Sequence, residues 1–340
     1  MEAVYSKLTK KGTAVALSVS KDYAASFKPK TLEGDWPVDL KSVRNDSLRD
    51  ASYEEILAHA DSVNINVTPS QVSFVESVTR EQAKSAKWCQ YRVGRITASR
   101  IYEATRTNTE TPSRSLIKGI CKPTSFKSVH TDWGIRKEPV AKKAYNNEMN
   151  RQHTDFTMKD SGLVLHPDYP EFGASPDALV SCSCCGSGLL EVKCPSTLKD
   201  SDTIDMPYLK DKKLKRETKY FYQVQMQLFL TDRQYCDFFI WTPHATLCER
   251  ITRDTKLWED MCCKGQNFHR RVIMPELISS FFSRTATEAD GHSYCVCGGG
   301  DDGRKMIACD GENCVTVWFH MTCLRIKRVT KGKWFCEKCS

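Results

Sequence analysis

Two short runs of sequence, GASPDALV at residues 173–180 and LLEVKCP at residues 189–195, place charged side chains within strongly apolar segments. Residues two positions apart on a β-strand project from the same face, so Glu191 and Lys193 are predicted to lie side by side. With Asp177 they form a charged cluster at a strand edge. Two carboxylates can bind Mg²⁺, and a nearby lysine can orient an attacking water. The pattern indicates metal-assisted phosphodiester hydrolysis; the alternative is a surface hairpin with a stray Glu/Lys pair.

A carboxylate on a helix is a candidate to complete this site. In DWGIRKEPVAKKAY, residues 132–145, a proline fits only the first helical turn, so Pro139 predicts a helix that starts near Arg136. Glu138 then lies on the face that carries apolar residues three and seven positions later. The alternative is an ordinary solvated glutamate beside Lys142.

Glutamines interrupt a later apolar stretch, KYFYQVQMQLFLT at residues 219–231. They occupy positions 223, 225 and 227, and a glutamine on a buried helix needs a hydrogen-bond partner. An active-site water, a metal ligand or a phosphate would provide one. A satisfied core amide is the other interpretation.

The composition limits the class of protein. The chain has 340 residues, about twice the length of a typical domain, so two folded units are expected. Its 40% apolar and 27% charged residues indicate a soluble globular protein, and a net charge of +8 is compatible with a polyanionic partner. No apolar run approaches the ~20 residues that span a bilayer, and the start lacks the order of a signal peptide. We therefore expect an intracellular protein with no membrane partner.

The seventeen cysteines indicate buried thiols or metal ligands rather than disulfides in a reducing compartment. They concentrate near the C-terminus, where a small module is predicted at residues 293–340 after a linker at 283–292. A large module occupies residues 68–282, and its first helix is predicted to start after the N-cap Thr68. Residues 1–67 form an N-terminal extension to which no role is assigned.

The joint occurrence and order of these segments resembles one family. The large module is similar to the phage lambda exonuclease-like (YqaJ-type) viral recombinases, a branch of the PD-(D/E)XK nucleases. The matching segments are WCQYRVGRITAS (88–99), WGIRKE (133–138), GASPDALV (173–180), LEVKCP (190–195) and YQVQMQLF (222–229). The resemblance implies an α/β fold with a mixed central sheet flanked by helices, as in restriction endonucleases.

The resemblance also implies a role for each matching residue. Glu138, Asp177 and Glu191 would bind Mg²⁺ or Mn²⁺ together with the Val192 carbonyl, Lys193 would be the catalytic lysine, and Gln223 a supporting amide. Arg92 and Ser99 would grip the terminal phosphate of a DNA end, and they share a face if their segment is helical. Such positioning would set a 5′-to-3′ direction. Relatives form rings, so a homo-oligomer is a further expectation.

One insertion departs from the family pattern. The segment SCSCCGSG, residues 181–188, is longer and richer in cysteine than the usual turn. Cys182, Cys184 and Cys185 could bind Zn²⁺ with a distant fourth ligand such as Cys262 or Cys263, or hold an iron–sulfur cluster. Unligated thiols at a hairpin tip are the alternative.

A basic run leads directly into the glutamine-containing segment. Its members are Lys210, Lys212, Lys213, Lys215, Arg216 and Lys219. Neutralising phosphates with such side chains supplies most sequence-independent DNA affinity. A solvated, flexible loop has the same composition.

The small module has the spacing of a double zinc site. Its ligand order is Cys295, Cys297, Cys309, Cys314, His320, Cys323, Cys336 and Cys339. Four pairs of such ligands make two tetrahedral Zn²⁺ sites, which stabilise a module too small for a large core. The module resembles PHD fingers, most closely those of the inhibitor-of-growth proteins. In that family the first and third pairs hold one zinc, and the second and fourth pairs hold the other.

The same resemblance suggests a ligand for the finger. Tyr294, Met306 and Trp318 occupy the positions of a methyl-lysine cage, and cations are attracted to aromatic faces by ~1–2 kcal/mol when desolvated. Asp310 could pair with a histone arginine. The alternative is that Met306 and Trp318 simply pack the core of the finger.

The predicted function is a Mg²⁺-dependent DNA exonuclease joined to a reader of histone tails. Its expected partners are duplex DNA ends and a histone tail, and its expected location is the nucleus. One alternative is a chromatin-binding protein with a vestigial nuclease core. The other is a nicking or structure-selective endonuclease on the same fold.

Overall fold

The computed structural model describes residues 34–123 and 128–284 and parts of the C-terminal module. In that module the described residues are 295–297, 304–311, 314, 316, 318–326 and 334–339. The predicted cage residue Tyr294 and most of the predicted linker lie outside the described residues. Among those described, no helix combines the length and apolar composition needed to cross a bilayer.

The helices surround a sheet in the large module. The α-helices are α1 (Tyr53–Ser62), α2 (Pro69–Val78), α3 (Ala86–Arg92), α4 (Ile101–Ala104), α5 (Arg114–Cys121), α6 (Val129–Gln152), α7 (Lys219–Leu230), α8 (Thr255–Phe268) and α9 (Met274–Ser279). The strands are β1 (Ile96–Thr97), β2 (Thr157–Asp160), β3 (Phe172–Gly173), β4 (Ala178–Cys182), β5 (Gly186–Lys193), β6 (Leu209–Lys210), β7 (Lys213–Leu214), β8 (Tyr235–Trp241), β9 (Thr246–Thr252), β10 (Met306–Ala308) and β11 (Trp318–His320).

The central sheet has five strands in the order β2-β4-β5-β8-β9. The β5–β8 pair is parallel and the other neighbours are antiparallel, so the sheet is mixed. The crossover from β5 to β8 contains α7, as parallel neighbours require a long connection. The predicted α/β class with a mixed central sheet flanked by helices is confirmed.

Strand β5 lies at the centre of this sheet and is covered on both faces. Leu189 packs with apolar residues of α7, whereas Leu190 and Val192 pack with apolar residues of α6. Its odd-numbered side chains therefore face α7 and its even-numbered ones face α6. This alternation places Glu191 and Lys193 on the α7 side, as the sequence pattern predicts.

The N-terminal residues 34–67 contribute to the core of the large module. Leu40 and Ile56 are fully buried and belong to the same apolar cluster as Phe268 and Ile278. Helix α1 starts with a capping box in which Ser52 and Glu55 satisfy each other's backbone N–H groups. Part of the segment for which the sequence suggested no role is thus built into the fold.

Helix α6 starts earlier than the sequence predicts. It begins at Val129 after the N-cap Ser128, so Pro139 lies in the helix interior and not in its first turn. A proline there removes the hydrogen bond to the Ile135 carbonyl. Ile135 is exposed, so solvent can satisfy that carbonyl, and the buried contacts of Ala141 and Tyr145 hold the helix together across the interruption.

The segment between Arg92 and Ser99 is not a helix. Helix α3 ends at Arg92, Gly94 has a left-handed φ of 77°, and β1 follows. Arg92 and Ser99 therefore do not share a helical face, which corrects the arrangement considered from their spacing. The chain leaves the helix at Val93, whose backbone is extended, and then turns at Gly94, where a positive φ favours glycine.

Candidate active site and zinc centres

The Glu191 carboxylate lies at the centre of the candidate active site. The residue is only 3% exposed. Its Oε1 atom accepts a hydrogen bond from Gln223 Nε2 at 2.7 Å and also forms an ion pair with Lys193. Its Oε2 atom accepts a hydrogen bond from Gln227 Nε2 at 2.7 Å. A buried carboxylate is tolerated only when it is paired and hydrogen-bonded, and these three donors meet that requirement.

Asp177 stands beside Glu191 because of the β4–β5 register. Ala178 pairs with Leu190, and the Asp177 N–H donates to the Leu190 carbonyl at 3.1 Å. The Asp177 Oδ2 atom accepts the Val192 N–H at 2.6 Å. Burial and the nearby Glu191 charge raise the pKa of Asp177 well above its ordinary value. Two carboxylates are thus held close together against their mutual repulsion.

Lys193 supplies the positive charge of this cluster. Although burial opposes it, the charges of Glu191 and Asp177 raise the pKa of Lys193 above its usual range. Its Nζ atom also lies 5.3 Å from the centre of the Tyr220 ring. Lys193 is therefore protonated at neutral pH and can donate hydrogen bonds but cannot act as a base.

Glu138 approaches the cluster from α6 and is paired with Lys142 one turn later. The Lys142 Nζ atom lies 3.0 Å from Glu138 Oε1 and 3.1 Å from Asp160 Oδ1. Burial opposes the effect, but the charge of Glu138 raises the pKa of Lys142, and Asp177 contributes in the same direction. Lys142 therefore links α6 to β2 beside the candidate site, a role that the sequence analysis missed. The i to i+4 spacing of Glu138 and Lys142 was a signal for their pairing, whereas nothing in the sequence indicated the link to β2.

The glutamines of α7 divide into two kinds. Gln223 and Gln227 are one helical turn apart and both donate to Glu191. Gln225 points elsewhere: its amide donates to the Thr252 carbonyl and accepts the Asp254 N–H, at 2.9 and 2.7 Å. Gln225 is a satisfied core amide, the second interpretation considered from the sequence. Gln227 joins Gln223 at the site, although the family resemblance assigns a role to Gln223 alone.

The donor set suits a hard divalent cation. Glu138, Asp177 and Glu191 offer carboxylate oxygens, the ligand type that Mg²⁺ and Mn²⁺ prefer. Burial, followed by the Glu191 charge, raises the pKa of Asp177, and a bound cation would favour the ionised carboxylate. In the described part of the chain, Glu138 and Glu191 are ion-paired with Lys142 and Lys193, and the three carboxylates do not form a cluster as compact as those of the cysteines and histidines.

Arg92 and Ser99 occupy different environments. The Arg92 guanidinium stacks 3.7 Å from the centre of the Trp88 ring, and burial lowers the pKa of Arg92 to about 10. Ser99 is exposed, and its hydroxyl lies 3.2 Å from that of Thr97. Arg92 is thus a rigidly held cation, still charged at neutral pH.

The predicted basic run forms a small hairpin before α7. Strands β6 and β7 pair through Leu209 and Leu214, whose side chains are buried in the core beside α7. Lys212 at the turn has a left-handed φ of 61°. The exposed members of the run are Lys210, Lys212, Lys213, Arg216 and Lys219. The run is therefore anchored by its apolar residues and presents its cations to solvent.

The finger brings its eight ligands together in two groups. The first is Cys295, Cys297, His320 and Cys323, and the second is Cys309, Cys314, Cys336 and Cys339. These are the groups that the resemblance implies. The His320 Nδ1 atom lies 3.5 and 3.9 Å from the sulfurs of Cys297 and Cys323, as expected of ligands around one tetrahedral zinc.

Two of the predicted cage residues share a face of the finger. In the antiparallel β10–β11 pair, Met306 lies opposite His320 and Ala308 opposite Trp318, so Met306 and Trp318 are diagonal neighbours. Trp318 is 44% exposed, which is more than packing of the core requires. The Asp310 carboxylate accepts the Trp334 N–H at 2.7 Å and so also fixes the finger's own backbone.

Two family models match separate parts of the chain. Residues 87–234 match the YqaJ-like viral recombinase domain, and residues 295–339 match the PHD-finger. The chain joins a YqaJ-like viral recombinase domain to a PHD finger. Both resemblances inferred from the sequence are confirmed.

Individual relatives match one module each. Chromatin modification-related protein png1 of Schizosaccharomyces pombe is 46% identical over 52 residues, which are 15% of this chain and 18% of that protein. Inhibitor of growth protein 1 of Mus musculus is 43% identical over 47 residues, 14% of this chain and 16% of that protein. The chain thus spans less than a fifth of these curated relatives. The solved alkaline exonuclease LHK-Exo of Laribacter hongkongensis is 30% identical, with 60% of this chain and 100% of that chain covered and a TM-score of 0.45.

The inserted cysteines of the YqaJ-like domain have a histidine neighbour. Cys182, Cys184 and Cys185 cluster with His153, which follows the last turn of α6. Cys262 and Cys263, the fourth ligands considered from the sequence, lie on α8 outside this cluster. The β4–β2 pairing brings the hairpin tip to the end of α6, a contact that ligand spacing could not reveal.

The charge on Asp177 should destabilise the metal-free fold. Because its pKa is raised on folding, the free energy of unfolding should fall as pH rises through its titration. Asp177→Asn removes the charge and keeps an oxygen for the Val192 N–H. We expect the free energy of unfolding at pH 8, without added divalent metal, to rise and its decrease with pH to flatten. Denaturant titrations between pH 5 and 8 measure both.

Asp200→Asn provides the matched control, since the Asp200 side chain is 84% exposed. It should change the free energy of unfolding by less than about 0.5 kcal/mol. If the free energy of unfolding depended on pH in the same way for Asp177→Asn and wild type, the carboxylates of Asp177 and Glu191 would not repel each other in the folded protein.

Proposed function

We propose that the YqaJ-like domain is a Mg²⁺-dependent deoxyribonuclease that degrades duplex DNA from its ends. The observation that supports this most strongly is the buried Glu191 carboxylate, held by Lys193, Gln223 and Gln227 beside Asp177. In a purely structural hairpin, two neighbouring carboxylates that repel each other and a buried lysine would lower stability without any benefit. The completeness of this set also argues against a vestigial core.

Each residue has a distinct task in this proposal. Asp177, Glu191 and Glu138, with the Val192 carbonyl, would hold the cation, which supplies positive charge that polarises the phosphodiester. Gln223 and Gln227 fix the orientation of the Glu191 carboxylate. These groups are set by the fold before substrate binds, as effective positioning requires.

Lys193 acts as a donor in the reaction. Because its raised pKa keeps it protonated, it would orient the attacking water and stabilise the negative charge that develops on the phosphate. The water's proton must pass to solvent or to a substrate oxygen. The Lys193 charge is largely balanced by Glu191 in the free protein, so it does not attract a phosphate indiscriminately.

DNA binding is assigned to the hairpin β6–β7 and the start of α7. The exposed cations of this hairpin lie on the same chain segment as Tyr220, which contacts Lys193. Phosphate contacts by such side chains release counterions, so affinity should fall steeply with salt. Arg92 offers a rigid two-donor fork for the terminal phosphate, with Ser99 as a hydroxyl donor.

We assign to the PHD finger the binding of a methylated lysine in a histone tail. Support comes from the exposed Trp318 ring, its diagonal neighbour Met306, and the acidic Asp310 nearby in the finger. Aromatic faces attract quaternary ammonium groups. With the chromatin-modification relatives of the finger, this supports action on nuclear DNA.

The first test is the removal of Lys193. Lys193→Ala should lower the rate of Mg²⁺-dependent DNA degradation by at least about 100-fold, because the charge that stabilises the transition state is lost. End-labelled linear duplex and closed circular DNA of the same sequence are incubated with each protein. Wild type should degrade only the linear form; cleavage of the circle would favour the endonuclease alternative.

Lys199→Ala is the matched control, because Lys199 is exposed and forms its ion pair with the exposed Asp200. It should retain wild-type activity. Undiminished activity of Lys193→Ala would refute the assigned active site.

The second test concerns the DNA end. Duplex with 5′-phosphoryl ends should be degraded faster than 5′-hydroxyl duplex, since the terminal phosphate carries an extra negative charge for Arg92. Arg92→Ala should remove most of that difference, whereas Arg92→Lys should retain part of it. Initial rates are measured on both substrates with each protein. Equal wild-type rates would exclude an end-recognition role and with it the proposed basis for 5′-to-3′ direction.

The third test concerns the finger in the full chain. Trp318→Ala should lower affinity for a trimethylated histone-tail peptide by about 3- to 30-fold, matching a cation–π contribution of about 0.5–2 kcal/mol. Affinity for the unmodified peptide should stay unchanged. Phe335→Ala, a second exposed aromatic residue of the finger, is the control. Calorimetry showing that the wild type binds both peptides equally would leave the finger a structural module.

A further inference from the structure

The hairpin between β4 and β5 carries a group of soft ligands far from the candidate active site. Strand β4 ends at Cys182 and β5 begins at Gly186, whose left-handed φ of 73° allows the tight return. His153 caps the C-terminal end of α6. Ser183 holds the two segments together, because its N–H donates to the Thr154 carbonyl at 3.0 Å.

The four side chains converge on one point. The His153 Nδ1 atom lies 3.1 Å from the sulfur of Cys184, 3.7 Å from that of Cys182 and 3.6 Å from that of Cys185. The Cys184 sulfur lies 3.4 Å from that of Cys182 and 3.8 Å from that of Cys185. Ligands at about 2.3 Å (sulfur) and about 2.0 Å (nitrogen) from a tetrahedral zinc lie roughly 3.5–3.8 Å apart. The observed separations bracket these values.

The PHD finger of the same chain provides an internal reference. Its sulfur-to-sulfur separation of 3.7 Å between Cys314 and Cys336 falls within the range found at the hairpin. In the finger, backbone N–H groups also donate to ligand sulfurs, as Cys336 N–H does to Cys309 at 3.2 Å. The Cys185 N–H donates to the Cys182 sulfur at the same distance, 3.2 Å. Two independent features of a zinc knuckle therefore recur at the hairpin.

The surroundings suit an anionic metal centre. Three thiolates and one neutral imidazole around Zn²⁺ carry a net charge of −1. The Arg250 guanidinium, which binds the buried Asp237 carboxylate at 2.8 and 3.0 Å, is a neighbour of Cys185. A fixed cation beside Cys185 would offset part of the negative charge of the thiolates, as hydrogen-bonding groups around metal ligands commonly do.

We propose that His153, Cys182, Cys184 and Cys185 bind a third zinc ion, separate from the two zinc ions of the PHD finger. Three sulfur ligands and one nitrogen ligand in tetrahedral separation are typical of structural zinc. An iron–sulfur cluster would spread its ligands over several irons, whereas all four ligand atoms here lie within 4.8 Å of one another. Four protein ligands fill the coordination sphere, so the site is structural and not catalytic.

The zinc would fasten the end of α6 to the hairpin β4–β5. His153 follows Glu138 on α6 by 15 residues, or about 22 Å along a helix. Cys182 and Asp177 stand at opposite ends of β4. The same two elements therefore meet twice, through the carboxylates at one end and through the metal at the other.

Metal content of the full chain tests this directly. Protein purified without chelator should contain three zinc ions per chain by mass spectrometry, and Cys184→Ser should contain two. Cys297→Ser, which removes a finger ligand, should lose one ion and calibrates the loss of a single site. Cys263→Ser, an exposed cysteine outside all three clusters, should keep three.

Cobalt substitution keeps the test decisive if a variant folds poorly. Wild-type protein loaded with Co²⁺ should bind three equivalents, each with the absorption of tetrahedral thiolate coordination. Cys184→His, which keeps four ligands, should retain three ions. Two zinc ions in the wild type, or three in Cys184→Ser, would overturn the proposal whatever the nuclease activity proves to be.

Discussion

The buried charge of Glu191 is the constraint around which the YqaJ-like domain is organised. A carboxylate at the centre of a sheet that helices cover on both faces cannot be left without donors. Lys193 reaches it from the same strand, and Gln223 and Gln227 reach it from α7. The i to i+4 spacing of those glutamines fixes the rotation of α7 on the sheet. Because β5 and β8 are parallel neighbours, the connection between them must cross the face of the sheet, and this connection contains α7.

Strand alternation made much of this site predictable from sequence. Once β5 is a strand, Glu191 and Lys193 must share a face and Val192 must take the other. The requirement that buried amides be paired likewise anticipated partners for the glutamines of α7. That requirement could not predict which glutamines point toward Glu191, because this depends on the rotation of α7 about its own axis. Gln225 bonds to the β9 end of the sheet, and only the packed structure distinguishes it from Gln227.

The errors arose where tertiary contacts override local preference. Pro139 is a helix breaker by propensity, yet α6 continues through it because the packing of Tyr145 on the sheet outweighs one lost backbone bond. Arg92 and Ser99 are seven positions apart, but the helix ends at Arg92, and an extended Val93 and a left-handed Gly94 follow. His153 joins three cysteines about thirty positions away, and no spacing rule covers a ligand set split between a helix end and a hairpin. The finger ligands, in contrast, are close in sequence and follow a family order.

The two ends of α6 and the hairpin β4–β5 differ in their electrostatics. At one end, burial and the nearby Glu191 charge raise the pKa of Asp177, so an ionised Asp177 without a counter-charge would destabilise this end. At the other end, soft ligands and Arg250 form a compact cluster with the spacing of a closed zinc site. A strained site needs surroundings that prevent its carboxylates from moving apart. A metal that fixes the far ends of the same two elements would do this without occupying the space assigned to DNA in the proposed function.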